Sequence, residues 1–257
     1  MKKLMIAGNW KMNMLRHQAR ELTQDIVSGI GDVKEGIDVV LAPPYTALDI
    51  VGGLIGDSRI MLAAQNVFWE DRGAFTGEIS PAMLVDAGCK WVIIGHSERR
   101  GILGETDSVV RKKIKASLGD GLGVIVCVGE TLEEREVGKT LKIVQSQIES
   151  ALMDLELDDP LRFVIAYEPV WAIGTGKNAT PQEAEYVHAT IREITGSIFG
   201  QDSEHIRIIY GGSVNGENIE ELLHMDNIDG ALIGGAGLDA NSFVKIVKLA
   251  GDREKWN

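Results

Sequence analysis

Three polar side chains each stand just past an apolar run. Glu168 ends the β-like run Arg162-Phe-Val-Ile-Ala-Tyr167, and Pro169 follows at once. His96 follows Trp91-Val-Ile-Ile-Gly95, and Lys11 lies one tryptophan beyond Gly8-Asn9. A carboxylate, an imidazole and an ammonium are the parts of acid–base and electrostatic catalysis. Two glycine turns, Gly211-Gly-Ser213 and Gly234-Gly-Ala236, end two later runs. Without side chains, their backbone N–H groups can approach a phosphate closely.

Each of these residues also has a bland reading. Lys11 can be a solvated surface lysine, His96 a hydrogen-bonded structural histidine, and a Gly-Gly pair a simple chain turn. Ser97 can cap a short helical turn with Glu98 in its first turn. A helix N-terminus there disfavours the cationic imidazole and leaves His96 a neutral donor to an oxyanion. Glu98 and Arg99 read as an ion pair that orders the site. Cys127, at the end of Gly123–Val128, is a packing cysteine or a nucleophile. The five histidines and two cysteines share no metal-ligand spacing, so no metal is expected.

The elements that must position these groups are short apolar runs: Lys3–Gly8, Asp38–Ala42, Ile60–Ala64, Trp91–Gly95, Gly123–Val128, Phe163–Tyr167, Ile206–Tyr210 and Asp229–Gly234. They are continuous rather than alternating, as in parallel strands covered on both faces. Arg16–Ile30, Ser108–Leu118, Thr131–Leu155 and Glu183–Phe199 carry apolar residues at helical spacing. Ser80-Pro81 and Thr180-Pro-Gln-Glu183 mark helix starts, while Gly88 and Gly251 suit helix ends. Eight strands alternating with helices predict a closed parallel (β/α)8 barrel spanning residues 1–257 as one domain. An open doubly wound sheet is the alternative, although no glycine fingerprint follows the first strand. In a barrel all the strand ends above share one mouth, and glycine turns after strands seven and eight are where phosphate is commonly held.

The chain has 257 residues, 44% of them hydrophobic, and a formal charge of −12. That balance argues against nucleic-acid binding and requires any anion site to be built locally. Cys89 and Cys127 show no disulfide framework, which points to a reducing compartment. The start, MKKLMIAGNWK, has too short an apolar run for a signal peptide, and no segment approaches the length of a membrane span. The expectation is a soluble, cytoplasmic protein.

Seven stretches in order along nearly the whole chain carry a specific resemblance: Ala7–Asn13, Ala64–Asn66, Gly73–Ser80, Gly95–Arg100, Cys127–Glu130, Ala166–Lys177 and Tyr210–Val214. The chain resembles the triosephosphate isomerases. The resemblance implies interconversion of dihydroxyacetone phosphate and D-glyceraldehyde 3-phosphate through an enediolate, in glycolysis and gluconeogenesis, with no cofactor. It makes Glu168 the base, His96 the electrophile and Lys11 the electrostatic partner. Asn9, Ser97, Glu98 and Cys127 support them, and Gly174, Ser213, Gly234 and Gly235 offer backbone N–H groups to phosphate. A free glutamate is a weak base for a carbon acid, and burial is expected to raise its pKa. Pro169-Val170-Trp171 reads as a stiff hinge, Ala172-Ile173-Gly174-Thr175-Gly176 as a moving tip, and Lys177 as the start of the return. Gln65–Glu78, with Phe68, Trp69 and Phe75, folds back on its own surface or, as the resemblance implies, forms a homodimer loop with Thr76 near its tip. An aldolase or lyase on a phosphate-binding barrel is the alternative, and would be expected to carry a Schiff-base lysine late in a strand. A catalytically dead, binding-only relative should have lost one of Lys11, His96 or Glu168.

Overall fold

The computed structural model describes residues 2–31, 35–56, 58–152, 155–172 and 179–252. Eight strands, β1 (Leu4–Asn9), β2 (Ile37–Ala42), β3 (Ile60–Ala64), β4 (Trp91–Ile94), β5 (Gly123–Val128), β6 (Phe163–Tyr167), β7 (Arg207–Tyr210) and β8 (Gly230–Ile233), close in chain order. All neighbours are parallel, and β1 pairs with both β2 and β8, so the open-sheet alternative falls away. Closure leaves no strand edge unpaired.

Two apolar layers explain the continuous runs. Met5, Ala7, Val40, Ile93, Ala166 and Leu232 fill the barrel interior. Ile6, Leu41, Val92, Ile165 and Ile208 face outward against the helices. Side chains alternate along a strand, so this parity fixes what the barrel presents at each end. Two residues beyond Ala7, Ala166 and Leu232 come Asn9, Glu168 and Gly234, on the inner side of one mouth. Two residues before Val40, Ile93 and Ile209 come Asp38, Trp91 and Arg207, at the opposite end.

Helix signals in the sequence act as expected at several points. Ser80 Oγ accepts the Met83 N–H at the start of Pro81–Asp86, and Gly88 follows that helix at φ +85°. Thr180 and Glu183 form a reciprocal capping box on Pro181–Phe199. Gly251 ends the helix Ala240–Gly251. One expectation needs correction. Thr131–Leu155 is two helices, Leu132–Glu136 and Thr140–Leu152. Gly138, at φ +71°, turns the chain between them, while the apolar spacing continues across the break.

Candidate active site

One cavity of about 320 Å3 at the C-terminal mouth is lined by Asn9, Lys11, His96, Glu168, Ser213, Gly234 and Gly235. These residues come from the ends of β1, β4, β6, β7 and β8. Gly174 and the other lid-tip positions Ile173, Thr175, Gly176 and Lys177 lie outside the described residues.

The geometry around the imidazole is specific. His96, not Ser97, is the N-cap of the short helix Ser97–Gly101: its Nδ1 accepts the Glu98 N–H at 3.2 Å. An acceptor at Nδ1 leaves the proton of the neutral ring on Nε2. Nε2 lies 3.0 Å from Glu168 Oε1, within hydrogen-bonding reach. The Ser97 N–H donates to Glu168 Oε2 at 2.9 Å. Ser97 therefore acts through its backbone.

These contacts reverse two expectations, a raised Glu168 and a His96 whose cation is disfavoured. Burial pushes the Glu168 carboxyl up, but His96, the Ser97 N–H and Lys11 together hold it below the ordinary glutamate value. Burial likewise pulls the His96 imidazole down, and the Glu168 carboxylate more than offsets it, so its pKa is raised.

Lys11 Nζ pairs with Glu98 Oε1 at 2.7 Å. Its backbone sits in the left-handed region at φ +52°, an uncommon place for a residue with a side chain. Two contacts pin it there: the Lys11 N–H donates to Asn9 Oδ1, and Gln65 Nε2 donates to the Lys11 carbonyl. Arg99 pairs instead with Glu105 at 2.5 Å, so the expected Glu98–Arg99 pair is replaced by two others.

The glycine turns pass a spatial test to different degrees. A Cβ on Gly211 would stand 2.8 Å from Glu168 Cγ, and one on Gly212 would stand 2.2 Å from the Tyr210 hydroxyl. A Cβ on Gly234 would reach 3.4 Å from Lys11 Cε, whereas one on Gly235 would meet open space. Cys127 is wholly buried in the barrel interior, and burial beside Glu168 pushes its thiol well up, which removes the nucleophile reading. Among the described residues no three His, Cys, Asp or Glu side chains converge as metal ligands.

The family model described as triosephosphate isomerase matches residues 4–250. The chain belongs to the triosephosphate isomerase family. It is 52% identical over 243 residues to the triosephosphate isomerase of Geobacter metallireducens, covering 94% of this chain and 96% of that protein. It is 51% identical over 251 residues to that of Chloroherpeton thalassium, covering 97% of this chain and all of that protein. A third relative of the same name, from Chloroflexus aurantiacus, is 48% identical over 244 residues, 95% of this chain and 97% of that protein.

After β6 the chain turns through Val170–Ala172, and this turn is anchored on Glu130. This wholly buried carboxylate accepts from Trp171 Nε1 at 2.8 Å and from the Tyr167 hydroxyl at 3.1 Å. Its carbonyl accepts the Val170 N–H at 3.1 Å. The Arg135 guanidinium covers the Trp171 ring at 4.0 Å and pairs with Glu183. Ala172 is wound into the same turn, Val170–Ala172, and is fully buried. Sequence reasoning quoted Glu130 only as part of a motif and did not reach Arg135. The available signal was a carboxylate two residues past the end of a buried strand.

Proposed function

We propose that Glu168, His96 and Lys11 carry the reaction of the family to which this chain belongs, the interconversion of dihydroxyacetone phosphate and D-glyceraldehyde 3-phosphate. Glu168 takes a proton from the carbon beside the carbonyl and returns it to the neighbouring carbon. The electron pair left behind moves onto the carbonyl oxygen and forms an enediolate. His96 Nε2–H gives its proton to the former carbonyl oxygen and recovers the proton of the neighbouring hydroxyl, so the carbonyl changes carbon, and Lys11 Nζ supplies a fixed positive charge beside both oxygens. Ser213, Gly234 and Gly235 offer backbone N–H groups to the phosphate, whose binding energy is remote from the reacting carbons and positions them.

The single observation that carries these assignments is the shared cavity, in which Glu168 Oε1 stands 3.0 Å from the Nε2 of an imidazole capped at Nδ1. It implies a sequence of events. While Glu168 rests on His96 and Ser97, its basicity is suppressed. Moving onto substrate removes both contacts, and burial then raises its pKa. The same movement takes from His96 the carboxylate that favours its cation and leaves a neutral donor. A lid closing over the enediolate excludes water and keeps the intermediate from losing its phosphate.

None of the eight strands carries a lysine, which removes the Schiff-base alternative. Lys11, His96 and Glu168 are all present and brought together, against a binding-only relative. The test is interconversion of the two triose phosphates by the purified chain in the presence of a chelator, with Lys11→Met and His96→Ala alongside. Turnover by the unaltered chain, lost in both variants, is expected. Unchanged turnover in either variant would remove that residue from its role.

The same reading includes a homodimer formed through the Gln65–Glu78 loop and a reducing, cytoplasmic setting in glycolysis and gluconeogenesis. Support for the dimer is an exposed apolar rim: Met12, Leu15, Phe75, Met83, Ile102 and Leu103. Support for the compartment is the pair of free, buried cysteines, Cys89 and Cys127. Among the described residues no helix is long and apolar enough to cross a membrane.

A further inference from the structure

A second cavity, of about 760 Å3, lies at the end of the barrel opposite the catalytic mouth. Its size falls within the range of small-molecule sites. Asp38, Trp91 and Arg207, the last inward-facing layer of the barrel, line it. Arg207 is only 4% exposed. One terminal nitrogen donates to Asp38 Oδ2 at 2.5 Å, and the other donates to the Leu161 carbonyl at 3.2 Å. The guanidinium lies 5.2 Å from the centroid of the Trp91 ring. Its buried Nε–H has no acceptor among the described residues. That nitrogen is closed off from the cavity, so Arg207 gives the floor of the site charge rather than a free donor.

The charge around this cavity points the same way. Asp38 is shared between Arg207 and Lys3, the latter at 3.8 Å. Asp229 is shared between Arg192 at 2.5 Å and Lys2 at 3.7 Å. Each carboxylate thus answers two cations, and the lining adds one further carboxylate, the exposed Glu204, beside the exposed His205. A local positive excess in a chain of net charge −12 runs against the whole molecule's field. The remaining wall is apolar: the Trp91 ring, Leu161 and the lysine stems.

We propose that this cavity is a binding site for a small organic anion with a flat apolar body. The body lies against Leu161 and the edge of Trp91. The anionic group sits among Lys2, Lys3 and Arg192. Triose phosphates lack the apolar body, so the site is independent of the catalytic mouth in both place and ligand class.

The test is calorimetric titration of the full chain with 2-naphthoate and, separately, with its neutral analogue 2-naphthalenemethanol. One saturable naphthoate site per chain is expected, with the alcohol at least about tenfold weaker for want of one charge-assisted contact. Arg207 is buried in an ion pair and its loss threatens the fold, so the variants sit on the exposed rim. Lys3→Glu should weaken naphthoate several-fold and Glu204→Lys should tighten it, both with isomerase turnover unchanged. The Trp91 indole N–H resonance should shift during the titration. No saturable binding, equal affinity for the alcohol, or affinity unmoved by both rim variants would each overturn the site.

Discussion

Glu168 is buried, yet two donors converge on its oxygens from residues adjacent in the chain, His96 Nε2 and the Ser97 N–H. Its depressed pKa is therefore a stability statement with a definite sign. The contribution is fully present above the unfolded value, 4.5, and is lost as pH falls through the lower folded value. Denaturant unfolding of the parent and Glu168→Gln from neutral pH down to about 3 should show the parent's relative stability shrinking as the acid limb is entered. Parallel curves would mean that the contacts contribute nothing in solution. Catalysis gives a second check. Glu168→Asp withdraws the carboxylate by one methylene, and kcat should fall at least about tenfold with KM changed far less, because reacting geometry is tight. Near-parental kcat would remove Glu168 from its role. The sequence disclosed the types and strand-end positions of Glu168, His96 and Lys11. It did not disclose the pKa direction, because the contacts that set it span 71 residues and one comes from a backbone N–H that any residue could supply. Nor did it show that His96 caps its own helix, since serine is the commoner cap.

At the scale of elements, the turn after β6 depends on one carboxylate that answers two side-chain donors. Glu130→Gln keeps the shape but leaves one acceptor oxygen for the Tyr167 hydroxyl and the Trp171 N–H, and turns an amide donor toward one of them. A buried mismatch of that kind should cost about 1–3 kcal/mol in unfolding free energy. It should also shift the Trp171 fluorescence, measured against a Trp171→Phe background. An unchanged emission spectrum would mean that Glu130 does not anchor the ring. The last glycine turn gives a prediction of opposite sign. Gly237 lies in the 3-10 segment Gly235–Leu238, and its backbone is not left-handed. A Cβ there would meet Gly8 Cα at 3.5 Å, an ordinary contact. Gly237→Ala should therefore stabilise by about 0.4–1 kcal/mol, through the unfolded ensemble, with kcat unchanged. A fall in Tm would show that the turn needs the glycine. Element existence was legible because apolar period and capping residues agreed at Ser80 and Thr180. The break at Gly138 was not, because one glycine does not interrupt an apolar spacing that both short helices share.

At the scale of the molecule, closure was legible from eight runs too apolar to leave a face to water. What lies outside the barrel was less so. In Gln65–Glu78 the reading in which the loop folds back on itself holds in part. Phe68 stacks on Trp69 at 4.0 Å and meets Phe75 at 4.6 Å, so the aromatics do pack on one another. The chain from Glu70 to Glu78, Thr76 included, nevertheless stays exposed. Met12 is 95% exposed and Ile102 is 78% exposed, each within a few residues of the proposed catalytic groups Lys11 and His96. An apolar rim of this kind beside a strained Lys11 is the surface a second copy would cover. Covering it would hold Met12, and with it the left-handed backbone of Lys11, in place. The solution mass at micromolar concentration should therefore be twice 27.9 kDa. Met12→Glu with Ile102→Glu places two charges in the covered face and should yield a folded monomer. Since Lys11 then loses its support, kcat/KM should fall together with the mass. A monomeric parent would overturn the dimer. A monomeric double variant of full activity would keep the dimer and sever it from the site.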